Sequence, residues 1–240
     1  MLLKEVKRIR QRQSRIGGKK LYFMLKDFRD SIGLKQGRDR FFNMLREQGL
    51  LIEKKKSYIK TTDSHHRFRM YKNIIKDIKI NRPNQVYASD ITYIRTMNGF
   101  CYLSLITDMY SRKIVGYALS RSLSIEGSIK AMKMAINGVK GDMKDLIHHS
   151  DRGVQYCSHD YTGLLKKHKI KISMTEKDHV YENALAERVN GILKDEFMLG
   201  ETIRDFKTAK KMVKQAVEIY NEERPHLAIG YEVPAKKHAA

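Results

Sequence analysis

The feature that most constrains the fold is a succession of three strand patterns joined by connections too short to hold a helix. Residues 86–96 are rich in Val, Tyr, Ile and Thr, which favour strands. Asn98-Gly99 then supplies a two-residue hairpin turn, and further strands are predicted over 100–107 and 113–119. Because strands joined by short loops run antiparallel, the sequence predicts a three-stranded meander.

Helical and strand patterns alternate after the meander. A helix is predicted from a Ser124 cap to about Asn137, and a short buried strand from Leu146 to His149. The remaining expected elements are a helix over 156–168, a strand over 170–174, and helices over 183–197 and 208–220. The order β-β-β-α-β-α-β-α-α predicts an α/β fold, with a five-stranded mixed sheet flanked by helices.

Charge and composition restrict the class of partner. Against 27 Asp and Glu the 240-residue chain has 48 Lys and Arg, a net charge of +21, which implies attraction to a polyanion. No run approaches the roughly 18 apolar residues of a membrane span, and the N-terminus lacks a signal-peptide pattern. Two cysteines far apart give neither a disulfide framework nor a zinc motif. We therefore expect nucleic acid as partner, no membrane, and a cytoplasmic location.

The positive charge is concentrated in the first third, where residues 1–80 carry 23 Lys and Arg and 8 Asp and Glu. Helical patterns over 19–28 and 38–48 flank a break at Gly33, which is compatible with a helix-turn-helix, although a solvated basic arm is the alternative. We predict a basic helical DNA-binding segment over 1–60, a basic linker over 61–82 and a core over 83–240. The candidate DNA contacts in the first segment are Arg38, Arg40, Arg46, Lys54, Lys55 and Lys56.

Three carboxylates stand in places where they can converge. Asp90 falls within the first strand, Asp151 follows the end of the fourth, and Glu187 lies on a later helix after 35 intervening residues. Open α/β sheets bind ligands beyond the carboxyl ends of their strands, so the two aspartates can share a metal if their strands are neighbours. Paired divalent ions promote in-line displacement at phosphorus. Taken singly, each acid is as readily explained as an edge or solvated residue.

Other polar residues surround these acids. Asn183, Asn190 and Lys194 stand at −4, +3 and +7 from Glu187, on one helical face that suits DNA running over the site. His148 and His149 come just before Asp151. One of them positions a nucleophile or contacts phosphate, or else one side of the short strand is buried and the other supports the site.

Six segments, in this order, resemble the retroviral-integrase-type core of bacterial insertion-sequence transposases, in particular those of the IS-three family. The resemblance covers nearly the whole chain, since the N-terminal third resembles the helix-turn-helix segment found before the core in the same proteins. The segments are Asn84 to Tyr93, Thr107 to Gly116, His149 to Tyr156, Glu182 to Glu187, Leu193 to Glu196, and Tyr220 to His226. Two departures from the family are Tyr87, where a Trp is usual, and Glu182, where an Asp is frequent.

The resemblance implies a ribonuclease H-like core and the family's D-D-E site at Asp90, Asp151 and Glu187, with two Mg²⁺ or Mn²⁺ ions. It also implies that Lys194 contacts DNA near the site; Arg188 and Asn190, on the same helix, are further candidate DNA contacts. Asp108, Ser111 and Arg112 match a motif that we interpret as support for the sheet. Arg224, Pro225 and His226 match a C-terminal motif without a clear role.

The implied partners are double-stranded DNA, at transposon ends and at the target, and further copies of the chain. Family members often act together with, or fused to, a DNA-binding protein from an upstream reading frame. The expected function is therefore metal-dependent strand cleavage and transfer by a cytoplasmic, nucleoid-associated protein. The alternatives are a non-catalytic DNA-binding partner or inhibitor of transposition, and a ribonuclease H-type nuclease, which shares the fold and metals.

Overall fold

The computed structural model describes residues 1–34, 37–52, 68–139, 143, 145–176 and 183–240. Lys54, Lys55 and Lys56, predicted to contact DNA, lie outside the described residues, as do His65, His66 and Glu182. None of the helices formed by these described residues is long and apolar enough to cross a membrane.

A five-stranded mixed sheet forms the centre of the core. Its strands are β1 (Val86–Thr96), β2 (Gly99–Asp108), β3 (Ile114–Ser120), β4 (Ile147–Ser150) and β5 (Lys171–Met174). In the spatial order β3-β2-β1-β4-β5, the first three strands pair antiparallel, whereas β4 is parallel to both β1 and β5. The predicted meander is confirmed, and the two added parallel strands make the sheet mixed.

Helices cover both faces of this sheet. They are α5 (Ile125–Gly138), α6 (Val154–Cys157), α7 (His159–Lys167), α8 (Ala184–Glu196), α9 (Phe206–Glu222) and α10 (Pro234–Ala239). One face packs against α5 and α7 through a cluster that includes Tyr87 and Met132. The other packs against α8 and α9 through a cluster that includes Leu103 and Leu193. The α/β fold is thus confirmed as three layers around two apolar clusters.

Two details of the core differ from the sequence-based prediction. The helix expected over 156–168 is split into α6 and α7, because Ser158 is extended (φ −61°, ψ 153°) and its hydroxyl accepts a hydrogen bond from the Tyr161 amide at 3.3 Å. Ser158 is therefore the N-cap of a new helix. The short α10, which begins with Pro234 at its first position, was not predicted.

The first third folds into helices α1 (Leu2–Arg12), α2 (Gly18–Met24), α3 (Lys26–Ser31) and α4 (Arg38–Glu47). They enclose their own apolar cluster, which includes Val6, Leu21, Phe41 and Leu45. The helix predicted over 19–28 is interrupted at Leu25, and α1 was not predicted. The interpretation of this region as a DNA-binding segment stays a prediction.

The N-terminal helices lie directly against the core. The Arg12 guanidinium binds both carboxylate oxygens of Glu223, and Lys20 Nζ lies 2.7 Å from Glu196 Oε1. The described part of the predicted linker also packs on the core: the Ile74 amide donates to Ser173 Oγ at 3.1 Å. Residues 68–82 therefore form a covering of the sheet edge rather than a free connection.

Asp108 fixes the turn that leads out of β2. Its Oδ1 accepts hydrogen bonds from the Ser111 amide and hydroxyl at 2.7 and 2.6 Å, and its Oδ2 accepts one from the Asn84 amide at 2.8 Å. A fully buried carboxylate is stable only when its oxygens are satisfied in this way. The interpretation of Asp108 and Ser111 as support for the sheet is confirmed.

Candidate active site

Parallel pairing of β1 and β4 brings the first two predicted acids side by side. Ser89 pairs with Ser150, so Asp90 and Asp151 are the next residues along two neighbouring strands. Adjacent strands lie about 4.8 Å apart, which places the two carboxylates at one position on the sheet edge. The condition under which the two aspartates can share a metal is therefore met.

Asp90 is half-buried and held by two donors. Its Oδ1 accepts the Ile91 amide at 2.9 Å, and its Oδ2 accepts the side-chain amide of Asn190 at 2.7 Å. Burial, and then the negative charge of Asp151, raises the pKa of Asp90 to about 7; Glu187 adds a smaller contribution in the same direction. A carboxylate whose proton affinity is raised by the charge of a neighbouring carboxylate marks a site that favours a cation.

Asp151 is oriented by the turn that follows it. Its Oδ1 accepts a hydrogen bond from the Gly153 amide at 2.9 Å. A Cβ at position 153 would lie 3.0 Å from that same oxygen, which is tighter than ordinary contact. Glycine is therefore the residue that lets the backbone approach Asp151 closely enough to bind its carboxylate.

Glu187 lies in the first turn of α8 and is exposed. The start of this helix is fixed against β1 by Asn183, whose side-chain amide lies 3.4 Å from the Ser89 carbonyl oxygen. One turn further, Asn190 binds Asp90. Both contacts hold α8 across the edge of β1, so that Glu187 is near enough for its charge to act on Asp90.

The donors suit a hard divalent cation. Mg²⁺ takes oxygen ligands and retains several waters, so one or two carboxylates are enough to hold it. Asp90 and Asp151 supply them. No three acidic, histidine or cysteine side chains in the described parts of the chain come close enough together to hold one ion. The structure thus pairs the two aspartates and leaves Glu187 at the margin of the site.

The predicted DNA contacts on α8 have different surroundings. Arg188 is exposed, and Lys194 is half-buried with its Nζ 5.3 Å from the centre of the Tyr93 ring. Burial lowers the pKa of Lys194, while the charges of Asp90 and Asp195 oppose that shift. Asn190 is 6% exposed and its amide donates to Asp90, so its main contact in the fold is with the first acid, and its contact with DNA stays a prediction. Contacts of Arg188 and Lys194 with DNA stay predictions.

Three predicted DNA contacts can be placed in the N-terminal helices. Arg38, Arg40 and Arg46 are exposed on α4. Arg38 also forms an ion pair with Asp39 at 3.0 Å, and the carboxylate partly neutralises its positive charge. These arginines are accessible to a polyanion, and their contact with DNA stays a prediction.

His148 and His149 are buried within β4. His148 Nε2 lies 2.7 Å from Ser89 Oγ and 2.9 Å from the Tyr161 hydroxyl, and His149 Nδ1 lies 2.9 Å from Ser173 Oγ. Burial lowers the pKa of His148 to about 3, so its imidazole is neutral at ordinary pH. Of the two interpretations, the structure favours burial beneath the site over contact with phosphate.

The C-terminal motif has a contact that its sequence did not indicate. Arg224 is 2% exposed, and its Nε and Nη2 donate to the two carboxylate oxygens of Glu196 at 2.8 and 2.9 Å. Lys20 binds the same carboxylate. The only signal in the sequence was that Glu196 and Arg224 both belong to segments that resemble the family.

Comparison with known proteins gives the family. Two models of the integrase core domain match residues 80–179 and 168–234. The IS600 uncharacterized 31 kDa protein of Shigella sonnei is 35% identical over 205 residues, which is 85% of this chain and 75% of that protein. This chain belongs to the IS-three family of transposases. Transposase InsF for insertion sequence IS3A, of Escherichia coli strain K12, is 34% identical over 184 residues, which is 76% of this chain and 64% of that protein.

Solved structures give the same fold. The catalytic core domain of HTLV-2 integrase, in complex with magnesium, superposes with a TM-score of 0.52 at 19% identity, covering 65% of this chain and 97% of that one. A chain of the simian T-cell lymphotropic virus intasome in complex with PP2A regulatory subunit B56 gamma superposes with a TM-score of 0.56 at 15% identity, covering 95% of this chain and 72% of that one. The ribonuclease H-like architecture expected for this family is therefore confirmed.

Proposed function

We propose that this IS-three family chain is a DNA transposase that cleaves the ends of its insertion sequence and joins the freed 3′-hydroxyl to target DNA. The observation that carries the proposal is the placement of Asp90 and Asp151 on neighbouring parallel strands, where the charge of one raises the pKa of the other. An integrase-type core with this acid pair suits phosphodiester chemistry better than a purely DNA-binding role.

Asp90, Asp151 and Glu187 would hold the divalent ions, two Mg²⁺ or Mn²⁺ in the proposed D-D-E site. Such ions supply charge neutralisation at the attacking and leaving oxygens of an in-line displacement. The chain's own contribution is orientation. Asn190 and the Ile91 amide fix the Asp90 carboxylate, and the Gly153 amide fixes that of Asp151. Glu187 would complete the set by a small movement of the first turn of α8.

Two displacements at phosphorus make up the proposed reaction. In the first, water attacks the phosphodiester at the element end, and the bond from phosphorus to the 3′-oxygen breaks to give a 3′-hydroxyl and a 5′-phosphate. In the second, that hydroxyl attacks a target phosphodiester, forms a new 3′–5′ linkage and releases the target 3′-oxygen with a proton. Both steps exchange one alkoxide or hydroxide for another, so one site serves both.

The proposed partners are duplex DNA and other copies of the chain. Lys194 on α8 is close enough to the acid pair for the charge of Asp90 to act on it, Arg188 is exposed on the same helix, and the chain's net charge of +21 favours a polyanion. HTLV-2 integrase core structures are described in trimeric and dimeric forms. We extend oligomerisation on DNA to this chain because joining two element ends requires more than one active site. Partnership with an upstream-frame protein and a nucleoid location also belong to the proposal.

Strand cleavage and joining by the purified chain test this function. Labelled duplexes that carry the element ends are incubated with Mg²⁺ or Mn²⁺ and with EDTA. Glu187→Gln is compared with Asp160→Asn, a matched change at an exposed acid in the first turn of α7. Metal-dependent products from wild type and Asp160→Asn, but not from Glu187→Gln, are expected.

Other outcomes select the alternatives. Salt-sensitive DNA binding without products would favour a non-catalytic partner, or a chain that acts only with its upstream-frame protein. Metal-dependent cleavage of an RNA–DNA hybrid in preference to duplex DNA would favour a ribonuclease H-type nuclease.

A further inference from the structure

A groove with a volume of about 270 Å³ lies where the N-terminal helices meet the last part of the core. We call it the junction groove. The residues that define it are Lys19, Phe23, Lys26, Arg29, Arg38 and Tyr231. The first five come from α2 to α4, and Tyr231 comes from the loop before α10, so neither half of the chain forms the groove alone.

An aromatic contact joins the two halves at this groove. The rings of Phe23 and Tyr231 are stacked, with centroids 4.8 Å apart and planes at 17°. Phe23 nevertheless remains 45% exposed. Tyr231 follows Gly230, and both have a positive φ (65° and 68°), a tight reversal that turns the Tyr231 ring toward α2. The groove therefore has an accessible aromatic wall held by one residue from each half.

The rest of the lining is cationic. Arg29 is 6% exposed, and its guanidinium lies 3.7 Å from the centre of the Tyr22 ring while donating to the Tyr22 carbonyl at 3.2 Å. Lys19 and Lys26 are exposed at the rim. Among the described residues that line the groove, none is acidic, although Arg38 pairs with Asp39 beside it. A positively charged groove is the feature with which proteins follow a nucleic-acid backbone, and here the Phe23–Tyr231 stack holds its two walls together.

Ion pairs hold the junction together next to the groove. Lys20, adjacent to Lys19, binds Glu196, which also carries the bidentate contact of the buried Arg224. Glu196 is the last residue of α8, and Glu187 lies nine positions earlier, about 14 Å along the helix axis. The helix that carries the third acid of the candidate active site thus also anchors the junction groove.

We propose that the junction groove binds the phosphate backbone of the DNA on which the chain acts. The inference rests on the proposed function and locates one DNA contact of the predicted DNA-binding segment at the place where that segment meets the core. Since Phe23 and Tyr231 come from different halves, DNA in the groove requires the N-terminal helices to be docked. The groove would therefore hold DNA at a fixed distance from the active site.

The lysines are tested by the salt dependence of DNA binding, measured in EDTA by fluorescence anisotropy with a labelled duplex. Lys19→Ala/Lys26→Ala is compared with Lys130→Ala/Lys133→Ala, which removes the same charge from exposed positions on α5. Each phosphate contact contributes about 0.9 to the slope of log affinity against log salt. We expect the groove variant to lower the slope by about 1.8 and the α5 variant to change it much less. If the slope changes by the same amount in the groove variant and in the α5 variant, the proposal is overturned.

Tyr231 provides the sharper test because it lies outside the basic N-terminal helices. Because the Phe23–Tyr231 stack joins the two walls of the groove, its loss should weaken duplex binding about fivefold. We expect Tyr231→Ala and Phe23→Ala each to have that effect, Tyr231→Phe to bind like wild type, and the double Ala variant to bind like either single one. Unchanged affinity in both Ala variants, with wild-type circular dichroism, would refute the groove.

A competition arm separates DNA from a small anion. Inorganic phosphate at millimolar concentration should leave the difference between wild type and Lys19→Ala/Lys26→Ala intact; if it abolishes that difference, the groove is a site for free phosphate. Cleavage by wild type is followed separately. If wild type cleaves DNA but the groove variants bind DNA like wild type, only the groove proposal is refuted. If the groove variants bind DNA more weakly but wild type does not cleave, the result counts only against the transposase function.

Discussion

Replacement of Asp90 by Asn tests whether burial and the neighbouring charge of Asp151 together raise the proton affinity of the first acid. Asn has the shape of a protonated Asp but cannot ionise. In the metal-free protein, burial and the charge of Asp151 raise the pKa of Asp90 from its ordinary value of 3.8 to about 7. Between these two values the folded chain keeps a proton that the unfolded chain has released. Wild-type stability therefore falls as pH rises through this window, and the effect is constant above it.

The magnitude follows from the size of the shift. About 3 pKa units at 1.36 kcal/mol each correspond to an upper bound of about 4 kcal/mol, of which roughly 1.6 kcal/mol is already lost at pH 5. The Asn variant has no such dependence at this position. Its free energy of unfolding relative to wild type should therefore increase by about 2–3 kcal/mol from pH 5 to pH 8.

Urea denaturation in EDTA, followed by circular dichroism at pH 5, 6, 7 and 8, measures this difference. Subtracting the free energy of unfolding of wild type from that of the variant removes the pH dependence of every other group. The control is Asp160→Asn at an exposed position, for which this difference should not change with pH. Addition of Mg²⁺ at pH 8 should stabilise wild type more than Asp90→Asn, because the ion neutralises the crowded charge. If the difference in the free energy of unfolding between Asp90→Asn and wild type does not change with pH, then Asp90 has its ordinary pKa and the acid pair is not formed in the folded chain.

Three further changes address the supports of the site. Gly153→Ala, which places a Cβ 3.0 Å from Asp151 Oδ1, should lower the rate of metal-dependent cleavage at least about tenfold at an almost unchanged melting temperature. Asn190→Ala removes a hydrogen bond that lowers the pKa of Asp90, so calorimetric Mg²⁺ binding should need a higher pH than in wild type. Glu196→Gln leaves buried cations without their counter-charge, and urea denaturation should show a loss of about 3 kcal/mol or more; a loss below about 1 kcal/mol would contradict the buried network.

Much of the core was predictable because its patterns are local. The first strand was predicted with its observed bounds, since an alternating run of β-formers ends at an Asn-Gly turn. The helices of the N-terminal third were harder to predict. In α1, Leu2 and Val6 are the buried residues among many Lys and Arg, so the apolar stripe is too thin to stand out from a basic arm. Its burial depends on α2 and α4, which no local pattern reveals.

The candidate site was predictable to a similar extent. Asp90 and Asp151 needed only one assumption, that β1 and β4 are neighbours, and the parallel pairing meets it. Helical spacing placed Asn190 on the face of Glu187, but spacing does not say what that face meets. In the fold it meets β1, and the amide expected to face DNA binds Asp90 instead. A polar residue beside a candidate metal ligand is therefore as readily a support for the carboxylate as a contact for substrate.

The role of the C-terminal motif depends on contacts that only the folded chain creates. Glu196 meets Arg224 after 27 intervening residues and Lys20 from the opposite end of the chain, and it stands at the end of α8. Because a helix is stiff along its axis, a force that moves the N-terminal helices at Glu196 also acts on Glu187 at the other end. We therefore expect docking of the first third and the position of Glu187 to be coupled through α8. Such coupling would be a physical reason for the buried contact of Arg224, far from the acids in sequence.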